Sequence, residues 1–491
     1  MADASPLLSD LPSRREHFLE AQRRHRLASG PAALLSAAAA TLSGIPLSAL
    51  ITPILLAPVI VLGLILARLG GLPPAALAWL HEAAHLVPTV WAALWGRATL
   101  SWTLIGVLAA PGAIAALLGW LGVLRLRRAW SGAALRRLGA RAPDVARPSE
   151  RRFDNLVQEL AVAAGAPAPR TLVVDSEAAN ALAVGLRLDD ASIVATTGLL
   201  ERLGRDEQQA YLAHLVGSVA NGDLRIAASL VSVFQTWGFI SVVGETPFSD
   251  EARRALGRTL AVMAGLGRWD QAMAEQVLDR LMAGAGQEFA GLNAYLDGVE
   301  RRHSLARNVF IDLPLLIFGC IGSITVTAAT GLATLLVFGP AVSALWRSRR
   351  RLADASAVEL TRNPDALLGA LERLRGADVI PKGAEPLSFL FPVWGKDAAD
   401  RTDIVGQVVG LHLEPAPRHA ALERLGALYR GGANPVPRKP LAEQAREAGV
   451  FLGWLAIAVA LVGVLFVVSL IAMGLVLWAV WAGMSALLSL L

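Results

Sequence analysis

The sequence predicts a mainly α, polytopic membrane protein that carries a smaller α+β domain on its cytoplasmic side. Hydrophobic residues make up 54% of the 491 residues and charged residues only 17%, which is too apolar for a soluble globule of this length. Several uncharged runs are long enough to cross a bilayer. Between them, short strand patterns and amphipathic helix patterns indicate a folded polar domain.

The uncharged runs locate the expected spans. They cover residues 27–67, with the span itself at about 48–67, then 98–124, 226–244, 313–346 and 449–491. The last run is either one span with an embedded tail or a tight hairpin. Arginines flank the first, second and fourth runs, as in Arg26, Arg128 and Arg347. Since cytoplasmic flanks are rich in Lys and Arg, these flanks are predicted to be cytoplasmic.

These spans divide the chain into six parts. They are a cytoplasmic N-terminal segment (1–26), two spans with an intervening loop (27–124), the first half of the polar domain (125–225), a transmembrane pair with a polar loop at 245–308 (226–346), the second half of the domain with a tail (347–446), and a C-terminal transmembrane segment (449–491). In this arrangement the 245–308 loop lies on the face opposite the domain.

The charge balance points to a lipid bilayer and not to nucleic acid. The net charge is +5, but the arginines cluster at the predicted membrane edges, where anionic lipid and topology account for them. No nucleic-acid-binding module is recognisable, so no nucleic-acid partner is expected. Cys320 is the single cysteine and excludes an internal disulfide.

Short periodic segments follow one another in the first half of the domain. The pattern predicts an amphipathic helix, two strands and a second helix, at Phe153–Gly165, Thr171–Val174, Ser192–Thr197 and from Asp206 onward. Asp206 and Glu207 suit the positive N-terminal end of that second helix.

The second helix carries His214 at a position of chemical interest. Zinc peptidases use His-Glu-x-x-His on a helix, where both histidines share the metal and the glutamate deprotonates its bound water. Here Leu215 stands in the glutamate position and Ser218 in the second histidine position. Neither an isobutyl group nor a hydroxyl replaces those functions. A polar partner for the His214 ring is expected at Asn221 or Asp354.

Several segments around His214 carry a family resemblance. Asn180-Ala181-Leu182-Ala183, Thr196-x-Gly-Leu-Leu and Asn221-x-Asp223 occur in this order around the helix. The chain thereby resembles the HtpX and CAAX-processing family of integral-membrane zinc metallopeptidases. The resemblance implies a gluzincin-like α+β peptidase domain with a small sheet and motif helices. It also implies a substrate groove along Asn180, Ala181, Leu182 and Ala183.

The resemblance extends to Leu352–Leu367, which is similar to the family's third-ligand helix. It implies that the third zinc ligand position is Arg350 and that Asn221, Asp223 and Asp354 belong to the scaffold. Because a guanidinium repels a metal cation, His214 is the only retained ligand. No catalytic residue and no cofactor are therefore expected.

The following region, 376–439, is rich in Pro, Gly and charge and is predicted to be a semi-ordered tail. The His and Arg that the family carries near the end of its domain are not found in register there.

A literal His-Glu-x-x-His occurs elsewhere, at His81-Glu82-Ala83-Ala84-His85. It is either a relocated zinc site or an interfacial helix whose polar residues face water. We favour the second interpretation, because no third ligand is evident and the segment lies on the face opposite the domain.

Two functions remain open. The first is a catalytically inactive pseudoprotease of the bacterial cytoplasmic (inner) membrane, which binds an extended polypeptide or a membrane-protein partner as a scaffold or regulator of membrane proteolysis or protein quality control. The alternative is an active zinc-dependent membrane metalloendopeptidase, with zinc held by His214 and other ligands or by His81 and His85.

Overall fold

The computed structural model describes most of the polar domain and part of the apolar regions. The described residues are 34–45, 47–48, 63, 66, 73–74, 102–246, 248–266, 270–284, 341–375, 377–393, 411, 415–428 and single positions between 449 and 460. The predicted spans at 48–67, 313–346 and 449–491 lie wholly or largely outside these residues. The motif at His81 and His85 also lies outside them.

A three-stranded mixed sheet forms the centre of the described part. Its strands are β1 (Arg170–Val174), β2 (Ala181–Val184) and β3 (Ser192–Thr196). The order is β1-β3-β2, with β1 parallel and β2 antiparallel to β3. β2 is therefore an edge strand, as expected for the predicted groove.

Helices of the peptidase-like half pack on one face of this sheet. They are α4 (Pro148–Ala163), α5 (Thr197–Arg202), α6 (Arg205–Ala220), α10 (Ser343–Thr361) and α11 (Pro364–Leu374). A capping interaction starts α6, because the Glu207 carboxylate accepts the Gly204 backbone N–H at 2.8 Å.

The family resemblance implies one helix over Leu352–Leu367, but the structure has two. α10 ends at Thr361, and Arg362 adopts a left-handed backbone conformation with φ 55°. Asn363 then caps α11 by accepting the Ala366 N–H at 3.0 Å, and Pro364 occupies the first turn.

Six further helices belong to the core on the other face of the sheet. They are α1 (Leu34–Ile45), α2 (Trp102–Leu126), α3 (Trp130–Leu138), α7 (Asp223–Glu245), α8 (Asp250–Ala264) and α9 (Gln271–Gly284). α1 crosses α2 closely at Gly44 and Gly112, where a Cβ on Gly44 would lie 2.3 Å from the Gly112 carbonyl oxygen. Such small-residue contacts are typical of helices that pack in a bilayer.

Within the described part of the chain, two helical stretches are long and apolar enough to cross a membrane. They run from Ala110 to Leu138 and from Asp223 to Glu245. The second coincides with α7, and 72% of its most apolar window is buried inside the protein. Charged helices α8 and α9 cover it, and Arg137 of α3 pairs with Asp279 of α9 at 2.7 Å.

Alternate residues of the strands feed two hydrophobic cores. Ile193 and Ala195 contribute to the core under α4 and α6, whereas Val194 faces the core that includes α2, α3 and α7. The described C-terminal elements are the strap (residues 377–393), with a 3₁₀ helix at Glu385–Leu390, and α12 (Pro415–Arg424).

The prediction of a semi-ordered tail after residue 376 is wrong for the strap. Leu387, Leu390 and Phe391 are each buried. The strap packs in the core that includes α2, α3 and α7. Its Pro and Gly content breaks periodicity, but burial and side-chain hydrogen bonds order it.

Candidate functional site

The site forms where α6 crosses α10. The two helices approach closely because Gly217 faces α10, and a Cβ there would lie 2.7 Å from the Ser356 Cβ. This contact joins the two halves of the domain that are separated in sequence by the apolar region. His214 and Asp354 thereby meet, although 140 residues separate them.

His214 is fully buried, and Asp354 is the partner of its ring. Nδ1 lies 2.8 Å from the Asp354 carboxylate, which confirms one of the two partners expected from the sequence. The other ring nitrogen, Nε2, faces Arg350, whose Nη1 lies 3.4 Å away. Since a guanidinium only donates, Nε2 is the acceptor and Nδ1 carries the proton.

The electrostatics agree with a neutral His214 ring. Burial lowers the pKa of His214 to about 4, with Arg418 and Arg350 adding to the shift and Asp354 opposing it. Burial alone would raise the pKa of the Asp354 carboxyl, but Arg418 and His214 hold it well below its usual range. Burial, then Arg418, lowers the pKa of Arg350 to about 10, so it stays charged at neutral pH.

Arg350 and its neighbour Arg349 have different partners. Arg350 Nη2 donates to the Phe389 carbonyl at 3.0 Å and to the Leu390 carbonyl, and its guanidinium lies 4.9 Å from the Trp346 ring centre. Arg349 pairs with Asp223 and donates to the Asn221 carbonyl at 2.6 Å. Both arginines are buried, although the sequence suggested that they mark the membrane edge.

The side chains at the second ligand position and the general-base position are engaged away from His214. Ser218 donates to the Asp223 carboxylate at 2.6 Å, and Leu215 is buried in the core under α4 and α6. Asn221 donates to the Ser356 hydroxyl at 2.8 Å. Asn221, Asp223 and Asp354 thus join α6, α7 and α10 through polar contacts, which is consistent with the scaffold role that the resemblance implies.

Arg418 is a residue of the site that the sequence reasoning missed. It lies on α12, is buried, and forms a fork on Asp354 with Nε and Nη2 at 2.9 and 2.7 Å. Its Nη1 donates to the Pro392 carbonyl at 2.7 Å. The only sequence signal was an arginine just after Pro415 and Pro417, at the start of a helix, and no spacing rule connects it to Asp354.

The predicted groove residues are largely covered. Asn180 is fully buried and uses both amide hydrogens on strap carbonyls, at Val379 and Val393, at 3.0 and 2.9 Å. Its amide oxygen accepts the Tyr211 hydroxyl at 2.5 Å. Ala181 and Leu182 are also buried, and Ala183 is partly exposed.

These residues do not fit a catalytic zinc ion. The nitrogen of His214 that would bind metal already accepts from a buried cation. The second ligand position offers a hydroxyl engaged elsewhere, and the general-base position offers an isobutyl group. Among the described residues, no three His, Cys, Asp or Glu side chains lie close enough together to hold a metal ion.

The fold and site define a membrane metallopeptidase-like protein. Residues 148–375 match the family model described as Peptidase family M48. The chain therefore carries an M48 peptidase domain, and the resemblance to the HtpX family is confirmed.

The similar curated proteins carry the name Protease HtpX homolog. One from Ligilactobacillus salivarius (strain UCC118) is 28% identical over 234 residues, 48% of this chain and 60% of its own length. One from Limosilactobacillus reuteri (strain DSM 20016) is 30% identical, over 48% of this chain and 59% of its own length. One from Streptococcus equi subsp. zooepidemicus (strain MGCS10565) is 29% identical, over 45% and 57%. The chain thus aligns with about 60% of the length of these relatives. No solved structure matches the chain.

Proposed function

We propose that this chain is a catalytically inactive M48 protein, a pseudoprotease that acts as a scaffold or regulator in membrane proteolysis or membrane-protein quality control. The observation that carries the proposal is the position of Arg350. Its guanidinium lies 3.4 Å from His214 Nε2, on the lone pair that a zinc ion would need. Two cations cannot share one lone pair, and the arginine charge is permanent near neutral pH.

Loss of the general base supports the same proposal. In the family's chemistry a glutamate takes the proton of the metal-bound water. Leu215 stands at that position and is buried in the core, where it has no group to accept a proton. Ser218 is hydrogen-bonded to Asp223. The position of the second metal ligand is thus used for a structural contact.

We further propose the setting in which this protein acts. The M48 domain faces the cytoplasm from the bacterial inner membrane, because arginines flank the apolar runs on that side. The lipid bilayer is one partner, and an extended polypeptide or a membrane protein is the other. The edge position of β2 supports binding of an extended chain.

The test is zinc content per chain, measured by elemental analysis of the detergent-purified full-length protein, together with cleavage of an unfolded substrate such as casein. The proposal expects zinc near zero and no cleavage above background. His214→Ala, His81→Ala and, as a control, His419→Ala are measured in parallel. About one zinc per chain that disappears in one variant would overturn the proposal, favour the active endopeptidase, and identify the histidine that binds the metal.

A further inference from the structure

Four buried side chains donate hydrogen bonds to the backbone of one short segment of the strap. Trp346 Nε1 binds the Phe389 carbonyl at 3.1 Å, and Arg350 binds the carbonyls of Phe389 and Leu390. Arg418 binds that of Pro392, and Asn180 that of Val393. Trp346 and Arg350 lie on α10, Arg418 lies on α12, and Asn180 immediately precedes β2. Side chains from three separate elements thus bind four of the five carbonyls between residues 389 and 393.

The position of Arg350 indicates which kind of ligand this arrangement fits. One end of its guanidinium faces His214 Nε2 and the other binds two strap carbonyls. In metal-dependent hydrolysis, the cation lies between its histidine ligands and the carbonyl that it polarises. Arg350 has the same two kinds of neighbour, a histidine nitrogen and peptide carbonyl oxygens. The strap therefore lies where a bound polypeptide would place its backbone.

The strap also fills the surrounding apolar pockets. The Phe389 ring contacts Phe234, with ring centres 5.4 Å apart, and Trp346, at 5.9 Å. Phe391 is fully buried and belongs to the core that includes Leu182 of β2. Side-chain pockets select the sequence of a ligand, whereas carbonyl contacts hold any backbone. The pockets here fit a segment with two aromatic residues separated by one residue.

We propose that Asn180, Trp346, Arg350 and Arg418 form a polypeptide-binding site, and that residues 385–393 of the strap are its resident ligand in this state. The site takes an aromatic-rich segment of a protein whose backbone follows that of the strap, a 3₁₀ turn at Glu385–Leu390 followed by the extended Phe391. An outside segment enters when the strap leaves. This inference rests on the proposed function, because an active peptidase needs the same place open for its substrate. A departing strap leaves buried arginine donors without acceptors, which favours replacement by another set of peptide carbonyls.

The test measures binding of a fluorescein-labelled peptide with the sequence of residues 385–393 to the full-length protein in detergent, by fluorescence anisotropy. In a variant whose residues 385–393 are replaced by a Gly/Ser segment of equal length, the peptide is expected to bind at least about tenfold more tightly than to the unaltered chain. Asn180→Ala in that background is expected to weaken binding about tenfold. Arg137→Ala is the matched control with unchanged binding, because Arg137 binds the Gly383 carbonyl outside the peptide sequence.

If the Gly/Ser replacement prevents folding, a second variant still tests the site. Phe389→Ala with Phe391→Ala leaves the backbone in place and removes only the pocket contacts, so the peptide is expected to compete successfully with the weakened strap. The inference would be overturned if the unaltered chain bound the peptide as tightly as these two strap variants do. It would also be overturned if a strap variant that keeps its circular dichroism spectrum did not bind the peptide. Zinc content is independent of this result. A zinc-free chain without peptide binding rejects the site alone, and a zinc-loaded chain rejects the pseudoprotease.

Discussion

Arg350, at the position that the family resemblance assigns to the third zinc ligand, changes the charge balance around His214. Arg350 and Arg418 bring two buried positive charges to a site where Asp354 is the nearest carboxylate. A protonated His214 would add a third positive charge in a dehydrated place. The ring is therefore held neutral, with its Nδ1 proton on Asp354 and its Nε2 lone pair towards Arg350.

The neutral ring predicts a pH-dependent stability. The pKa of His214 is about 4 in the folded protein and 6.5 for an ordinary histidine, so the unfolded chain binds more protons between these values. Stability is fully present above pH 6.5 and is lost as the pH falls towards 4. We expect a loss of about 2 kcal/mol between pH 7 and pH 5, measured by urea unfolding in detergent.

His214→Gln is the control for this titration, because glutamine fills similar space and does not titrate. In this variant the free energy of unfolding that is lost between pH 7 and pH 5 is expected to be smaller by about 2 kcal/mol. Asp354 does not contribute there, since its lowered pKa keeps it ionised in both states above pH 5. A slope that the variant leaves unchanged would show that His214 is not the titrating group.

Arg418 is predicted to stabilise the site more than its surface neighbours do. Arg418→Ala leaves Asp354 buried with one partner fewer, and we expect destabilisation of about 3–5 kcal/mol by urea unfolding. Arg424→Ala on the same helix is the control, because Arg424 is exposed and, within the described residues, its hydrogen bond is to a carbonyl of its own helix. A change within about 0.5 kcal/mol is expected there. Equal effects of the two substitutions would contradict a role for Arg418 in holding Asp354.

The residues of the site differ in how far the sequence could predict them. His214 and Asp354 follow from motif spacing within two helices, and their pairing was one of two expected contacts. Arg349 and Arg350 stand in a run of arginines after an apolar stretch, and such a run predicts a membrane flank as readily as buried ion pairs. Arg418 depends on how α12 docks. Local pattern carries no information about that contact.

At the scale of elements, local pattern predicted the strands and the motif helix well. The structure has β1 at Arg170–Val174 and β3 at Ser192–Thr196, each within one residue of its prediction. The single helix over Leu352–Leu367 that the resemblance implies is divided at Arg362, where the backbone adopts a left-handed conformation. Local pattern failed for the strap, whose order comes from donors distant in sequence, such as Asn180.

The helices between the two sequence halves of the domain raise a question of topology. The sequence expectation puts residues 245–308 on the face opposite the domain. However, Arg137 of α3 bonds Asp279 of α9 at 2.7 Å, and α8 lies along α7 with Arg253, Arg254 and Arg258 exposed. Exposed arginines at bilayer depth are costly. From these contacts we propose that protein covers α7 and that α7 does not cross the bilayer.

Cysteine accessibility distinguishes the two topologies. In a Cys320→Ser background, single cysteines replace Arg258 on α8 and Arg187 in the turn between β2 and β3, both of which are exposed. We expect a membrane-impermeant maleimide to label both positions only after the cells are permeabilised. Labelling of the Arg258 position in intact cells, with the Arg187 position protected, would instead show that α7 crosses the membrane.

At the scale of the whole molecule, the buried charges connect parts that are far apart in the chain. Arg349 joins α10 to Asp223 at the start of α7, while Arg418 joins α12 to Asp354. The network thus holds both halves of the M48 domain and the strap together around His214. Buried ion pairs of this kind favour one arrangement of the parts, because loss of any partner leaves an uncompensated charge.

The same network predicts what is needed to restore a metal site. The triple variant Leu215→Glu, Ser218→His, Arg350→Glu supplies a second imidazole, a base and a carboxylate, and it removes the cation from His214 Nε2. We expect about one zinc per chain by elemental analysis. The Leu215→Glu, Ser218→His double variant is expected to stay metal-free, because Arg350 still occupies the lone pair. Adding His214→Ala to the triple variant should abolish zinc binding. A metal-free triple variant that remains folded would mean that position 350 does not face the zinc, and the assignment of Arg350 as the lost third ligand would then be wrong.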